Sequence, residues 1–180
     1  MRFIRSWMET PLTTGAVVPS GKRLARALAR RVDPNAPGPV IELGPGTGVV
    51  TAALVEHGIE PNRMVLVEFN PAFCTLLRSR YPKAAVVQGD AYRLNGLIGG
   101  LMCQPAAAIV SALPLLNKPV KFRLRLLGEA LRLLAPGAPF VQVTYGMAPP
   151  IPANSHAHGQ AYDRIWLNVP PAKVWVYRKP

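Results

Sequence analysis

Val40-Ile41-Glu42-Leu43-Gly44-Pro45-Gly46-Thr47-Gly48 is the stretch that decides the fold. A short apolar run with one acid enters three glycines at alternate positions, and Val49 to Glu56 follows with the length of a helix. Positions without Cβ let the chain turn tightly and let a ligand lie against bare backbone. The spacing is GxGxG, which differs from the GxGxxG of dinucleotide-binding turns. A strand, a glycine turn and a helix make the first half of a βαβ unit, so the sheet is expected to be parallel.

Working outward, short β-branched runs alternate with helical segments across the rest of the chain. Strands are predicted at Val40 to Leu43, Met64 to Glu68, Ala85 to Gln88, Ala107 to Ser111, Phe140 to Tyr145 and Val174 to Tyr177. Helices are predicted at Val49 to Glu56, Pro71 to Ser79 and Phe122 to Leu134, the last stopped by Pro136-Gly137. Pro149, Pro150 and Pro152 predict an irregular loop over Met147 to Tyr162. Asp33 to Pro39 forms a Pro-rich break. The expected architecture is α/β, a mostly parallel sheet with helices on both faces and an N-terminal helical extension. The break divides it into an amphipathic, membrane-facing segment at 1–33 and a ligand-binding domain at 34–180.

The 180 residues carry a net charge of +12, and 49% of them are hydrophobic, which describes a globular chain with an anionic partner rather than a disordered one. Cys74 and Cys103 have neither CxxC spacing nor clustered histidines, so neither a disulfide framework nor a zinc site is expected. The apolar stretch Ala106 to Leu116 is broken by Ser111 and Pro114, short of the ~18 residues a membrane span needs. Arg5 and Glu9 interrupt the amino terminus where a signal peptide would be apolar, so a cytoplasmic chain is expected.

Acids mark the strand ends. Glu68 closes the second strand twenty residues past Gly48, where a carboxylate can accept hydrogen bonds from a ribose diol. The third strand ends on Gly89-Asp90-Ala91 and the fourth on Ser111. Ligands of open α/β sheets bind at these carboxyl ends, so the chemistry belongs on one edge.

As a set, these residues resemble the Rossmann-like class I S-adenosylmethionine-dependent methyltransferases over roughly Val40 to Leu134. The resemblance implies that Gly44, Gly46, Thr47 and Gly48 cradle S-adenosyl-L-methionine. Glu42 would serve its amino group, Glu68 with Phe69 its ribose, and Asp90 with Ala91 its adenine. Ser111 is implied beside the cofactor, and Ser111, Leu113, Pro114 and Tyr145 beside the reacting centre.

Enzymes that methylate the exocyclic amine of adenine place an amide and an aromatic around a proline here. In Ser111-Ala112-Leu113-Pro114-Leu115, Ser111 stands in place of the amide and Leu115 in place of the aromatic. Further segments resemble the bacterial phospholipid N-methyltransferases related to ribosomal RNA adenine dimethylases. They are Trp7, Pro11 to Gly21, Thr144-Tyr145-Gly146 and Asn168-Val169-Pro170-Pro171-Ala172. That resemblance implies N-methylation of phosphatidylethanolamine toward phosphatidylcholine, at the inner face of the cytoplasmic membrane. RNA adenine or another small amine as acceptor, or a non-catalytic cofactor-binding module, are the alternatives. The altered fourth-strand motif weighs against RNA, and the intact cofactor set against the module.

The amino terminus points to an anionic membrane surface on its own. Phe3, Ile4, Trp7 and Met8 share one helical face beside Arg2 and Arg5. After Ser20 as an N-cap, Arg23, Arg26 and Arg30 recur on one side while Leu24 and Leu28 face elsewhere. Residues 1–31 carry seven bases and one acid. Tyr145 is expected to contact the acceptor amine, with His156 and His158 as loop residues able to take a proton.

Overall fold

The computed structural model describes residues 19–145, 148–152, 158–165 and 172–179. Among the described residues five α-helices are α1 (Pro19–Ala29), α2 (Val49–Glu56), α3 (Pro71–Arg80), α4 (Leu94–Ile98) and α5 (Val120–Leu133). Seven strands among them are β1 (Val40–Leu43), β2 (Met64–Glu68), β3 (Ala85–Gln88), β4 (Ala108–Ser111), β5 (Phe140–Tyr145), β6 (His158–Ile165) and β7 (Ala172–Arg178). They form one sheet in the order β3-β2-β1-β4-β5-β7-β6. The strands β1 to β5 are mutually parallel, and β7 runs antiparallel between β5 and β6. Strand order reverses between β1 and β4, which opens a crevice at their carboxyl ends.

Each face of the sheet has its own core. Leu24, Leu28 and Val32 from α1 and its exit pack with Leu54 of α2 against Val40, Leu66, Val110 and Val141. On the opposite face Leu94 and Ile98 of α4 join Leu126, Leu127 and Ala130 of α5 over Ile41, Leu43, Ile109 and Phe140. Buried Leu side chains are each worth ~1.5–3 kcal/mol, so α1 is fixed to the sheet through residues 24–32. Residues 19–32 therefore share the core of the domain that follows, across the break at Asp33. The arginines of α1 and its exit remain outside: Arg23, Arg26 and Arg30 are exposed, and Arg26 pairs with Glu56 at 3.3 Å. The apolar face of Phe3 to Met8 lies outside the described residues.

Several boundaries differ from the sequence expectation. The helix α1 begins at Pro19, which places Ser20 inside the first turn rather than at the cap, and proline suits that turn because its missing N–H would be unpaired there anyway. The short helix α4 was not expected. Most of all, His158–Ile165 is a strand, not part of an irregular loop. Its prolines end at Pro152, and the ladder comes from β7, a partner remote from any local signal. The loop before it is tethered by side chains: Arg123 Nη1 donates to Pro150 O at 2.7 Å, and Tyr177 Oη bridges the N–H and C=O of Ile151. Arg63 performs the same service at the Pro-rich break, its guanidinium donating to the carbonyls of Pro34, Ala36 and Gly38.

Candidate functional site

The turn after β1 is built from three left-handed glycines, Gly44 at φ 71°, Gly46 at φ 56° and Gly48 at φ 84°. A Cβ on Gly44 would stand 2.8 Å from Leu113 Cδ2, and one on Gly48 would press on Leu77 and Tyr81. A Cβ on Gly46 would meet nothing within 4 Å. All three positions favour glycine through φ; packing adds to this at Gly48, only the end of the Leu113 side chain would have to move at Gly44, and Gly46 borders open space.

Glu68 braces this turn. Its Oε2 accepts from Gly46 N–H at 3.0 Å and its Oε1 from Asn70 N–H at 2.8 Å. A carboxylate has about four acceptor positions, so two remain for a ligand. Asn70 in turn caps α3 by accepting from Ala72 N–H at 2.9 Å, with Pro71 at the first helical position. At the end of β3, Asp90 accepts from Tyr92 N–H at 3.0 Å.

These elements surround a cleft of about 280 Å³, lined by Gly44, Glu68, Phe69, Asp90, Ala91 and Leu113 together with Val67, Gly89, Tyr92 and Lys118. Phe69 stands 75% exposed at its rim, an apolar ring with no protein cover. Lys118 Nζ lies 5.1 Å from the centroid of the Tyr92 ring. The Tyr92 hydroxyl is buried without a hydrogen-bond partner among the described residues, and burial, followed by the charge of Asp90, pushes its pKa up to about 12.

Glu42 lies beneath the turn, fully buried. Its Oε2 accepts from Thr51 Oγ1 at 2.7 Å, and its Oε1 has no partner among the described residues. Burial raises its carboxyl to about 8, partly offset by the Thr51 hydroxyl bond and reinforced by Glu68. A buried, half-paired acid under a turn that opens onto unfilled space fits a ligand with a cationic amine, a diol and an aromatic base.

At the next strand end Ser111 is fully buried, its Oγ accepting a long 3.4 Å bond from Leu113 N–H. Pro114 is exposed and Leu115 buried. An amide followed by two residues and an aromatic at 115 would start at Ala112, so neither Ser111 nor Ala112 supplies an amide. One does arrive from the neighbouring strand: Gln142 pairs with Ser111 in register, is fully buried, and donates from Nε2 to Leu113 O at 2.9 Å and to Val143 O at 2.7 Å. Tyr145 closes β5, 40% exposed, and burial of its hydroxyl raises its pKa.

The family profile of the ribosomal RNA adenine dimethylases matches residues 22–99. An ornithine lipid N-methyltransferase from Singulisphaera acidiphila is 28% identical over 145 residues, 79% of this chain and 76% of that protein. A ribosomal RNA small subunit methyltransferase A from a Synechococcus strain is 34% identical over 96 residues, 52% of this chain and 31% of that protein. This chain thus spans about a third of that relative. Among solved structures, the N-methyltransferase NodS from Bradyrhizobium japonicum, in complex with S-adenosyl-L-homocysteine, superposes with a TM-score of 0.71 at 14% identity over 97% of both chains. The methyltransferase CcbJ from Streptomyces caelestis superposes at 0.62, with 18% identity over 90% of both.

The chain is an S-adenosylmethionine-dependent methyltransferase with the class I fold.

Within this methyltransferase the expected cofactor residues fall into three groups. Gly44, Glu68, Phe69, Asp90 and Ala91 line the cleft, joined by Leu113. Gly46, Thr47 and Gly48 form the turn beside it, with Glu42 and Ser111 buried below. Pro114 and Tyr145 do not line the cleft. His158 opens β6 and His156 lies outside the described residues. Gln142 was missed, although a lone amide inside the apolar run Phe140-Val141-Gln142-Val143 is a visible signal, since a buried polar side chain needs a partner. Cys74 is buried and Cys103 exposed, both as free thiols, and no cluster able to hold a metal is present among the described residues.

Proposed function

We propose that this methyltransferase N-methylates the primary amine of a lipid headgroup, with phosphatidylethanolamine converted toward phosphatidylcholine as the principal reaction. One observation carries this reading. The match to the ribosomal RNA dimethylase family stops at residue 99, ahead of β4, whereas a match of 145 residues in a 180-residue chain must run past it. A relative whose likeness runs into the acceptor half of the sheet thus carries the name of a lipid N-methyltransferase. Ornithine lipid offers the same primary-amine chemistry and is the second acceptor worth testing on that ground.

A membrane-surface substrate is further supported by the segment around Lys118, which lines the cleft. Beside Lys118, the exposed apolar side chains of Leu116, Val120 and Phe122 stand with Lys121, whose Nζ is 5.4 Å from the Phe122 ring. No acid occupies the first turn of α5. Apolar anchors interleaved with bases suit an anionic leaflet, where each Lys or Arg contributes ~1 kcal/mol. Among the described residues no helix is long and apolar enough to cross a membrane, so peripheral association is the form proposed. The basic, Trp-bearing residues 1–18 are proposed to add to this surface.

S-adenosylmethionine supplies a methyl group on a sulfonium. The protein's part is to hold an unprotonated amine in line with that methyl, an effect of positioning rather than of nucleophile activation. Transfer would replace one N–H proton of the amine by that methyl group, the proton passing to solvent. Glu68 holds the turn through Gly46, Glu42 offers its unpaired oxygen to a cationic amine, and Phe69 offers an apolar face to a base. The test is transfer of labelled methyl to vesicles of phosphatidylethanolamine, to vesicles containing ornithine lipid, and to ribosomal RNA. Label on a lipid amine is expected, and label confined to RNA would overturn the proposal.

A further inference from the structure

An amine about to be methylated directs its lone pair at the methyl group, so its N–H bonds need acceptors of their own. The end of β4 has an obvious main-chain acceptor, the carbonyl of Leu113, whose side chain lines the cleft. That carbonyl is already used twice: Leu115 N–H donates to it at 2.8 Å and Gln142 Nε2 at 2.9 Å. A carbonyl oxygen has two lone pairs, so Leu113 has none left for a substrate.

The same amide that closes this acceptor offers another. Gln142 Oε1 is buried and has no hydrogen-bond partner among the described residues, while both bonds of the side chain are made through Nε2. An unpaired buried carbonyl oxygen costs ~1–3 kcal/mol, which a ligand donor can recover. Parallel register with Ser111 sets Gln142 on the same face of the sheet, beneath the segment that leads to Leu113. The neighbouring side chains do not compete for it, since Trp175, its register partner on β7, donates to Thr144 Oγ1 at 2.9 Å instead.

The geometry assigns Gln142 Oε1 as the hydrogen-bond acceptor that orients the substrate amine, taking the place of the amide absent from Ser111-Ala112. The assignment rests on the amine-methylation reading above and specifies how this chain meets its acceptor. It makes Gln142 a residue of two functions, with Nε2 fixing the loop and Oε1 binding the amine.

Sinefungin tests this without knowledge of the acceptor, because it carries a primary amine on the carbon that replaces the methylated sulfur. Calorimetric affinities for sinefungin and S-adenosylhomocysteine should be compared in wild type, Gln142→Leu and Gln142→Glu. Wild type is expected to favour sinefungin, and Gln142→Leu to lose about tenfold of that preference with S-adenosylhomocysteine affinity unchanged. Gln142→Glu keeps an acceptor and drops the amide donor, so the preference should be retained or raised. An unchanged preference in Gln142→Leu overturns the assignment. Equal loss in both variants also overturns it, by leaving only the loop-fixing role of Nε2. Gln142→Met replaces the leucine variant if that one fails to fold. Wild type that binds neither compound would refute the cofactor reading itself, and the assignment with it, whereas transfer to RNA with the sinefungin result intact would refute the lipid alone.

Discussion

The two halves of the sheet hold their functional groups by different means. In residues 40–92 the carboxylates at the ends of β2 and β3 are held by main-chain N–H groups of turns: Glu68 by Gly46 and Asn70, Asp90 by Tyr92. From β4 onward the corresponding bonds come from side chains far along the chain. Gln142 reaches Leu113, Trp175 reaches Thr144, Arg123 reaches Pro150, and Tyr177 reaches Ile151. The cofactor half is thus assembled by turn geometry, and the acceptor half by cross-strand and helix-to-loop contacts. A cofactor shared by many enzymes suits the first arrangement, and an acceptor that differs between them suits the second.

The largest effect should come from breaking the turn half. Glu68→Ala leaves two backbone N–H groups without acceptors, at ~1–3 kcal/mol each. Affinity for S-adenosylmethionine should fall by about a hundredfold, with a lower Tm. Calorimetry showing wild-type affinity would mean that the turn holds itself and that the contrast between the halves is wrong.

A second test uses proton linkage at Glu42. Its carboxyl titrates near 8 when folded and near 4.5 when unfolded, so between these values the folded chain binds more protons. This contribution to stability is complete below about 4.5 and is lost as pH rises through 8, by at most ~1.4 kcal/mol per pH unit. Gln cannot titrate and can still accept from Thr51. Thermal melts from pH 5 to 8 should therefore show wild type losing ground steadily to Glu42→Gln, and parallel curves would contradict the buried, half-paired carboxyl.

The smallest effect is expected at the outer end of the acceptor half. Tyr145 is 40% exposed and away from the cleft, so an aromatic–cation contact there is worth ~0.5–1 kcal/mol. Tyr145→Ala should lower kcat/KM for the lipid amine about two- to fivefold and leave cofactor affinity unchanged, while Tyr145→Phe keeps the aromatic face and the rate. Loss of cofactor affinity in Tyr145→Ala would show that the halves are coupled more tightly than their bonding suggests.

The same division explains what could be read in advance. The bounds of β1, β2, β3 and α2 follow from apolar runs punctuated by glycine, proline and acid, signals that act within a few residues. In the other half, β6 contains Gln160 and Tyr162 among small and charged neighbours, with no apolar alternation, because an edge strand takes its ladder from β7 alone. Gln142 shows in the sequence as a lone amide in an apolar run, but its meaning depends on register with Ser111 and on the saturation of Leu113 O. Lys118 is remote from Tyr92 in the chain, and only folding brings it over that ring.

The place of β7 constrains the order in which the molecule can be assembled on the ribosome. It comes after the other six strands in the chain, yet it lies inside the sheet, between β5 and β6. Through synthesis of the 33 residues from the end of β5 to the end of β7, roughly two to seven seconds at ~5–20 residues per second, β5 is an open edge. In that interval β6 has emerged with no strand to pair with. An open parallel edge invites pairing with another nascent chain. The turn bonds of Glu68 and Asp90 lie within residues 40–92, and β4, which pairs with β1, has also been made by then.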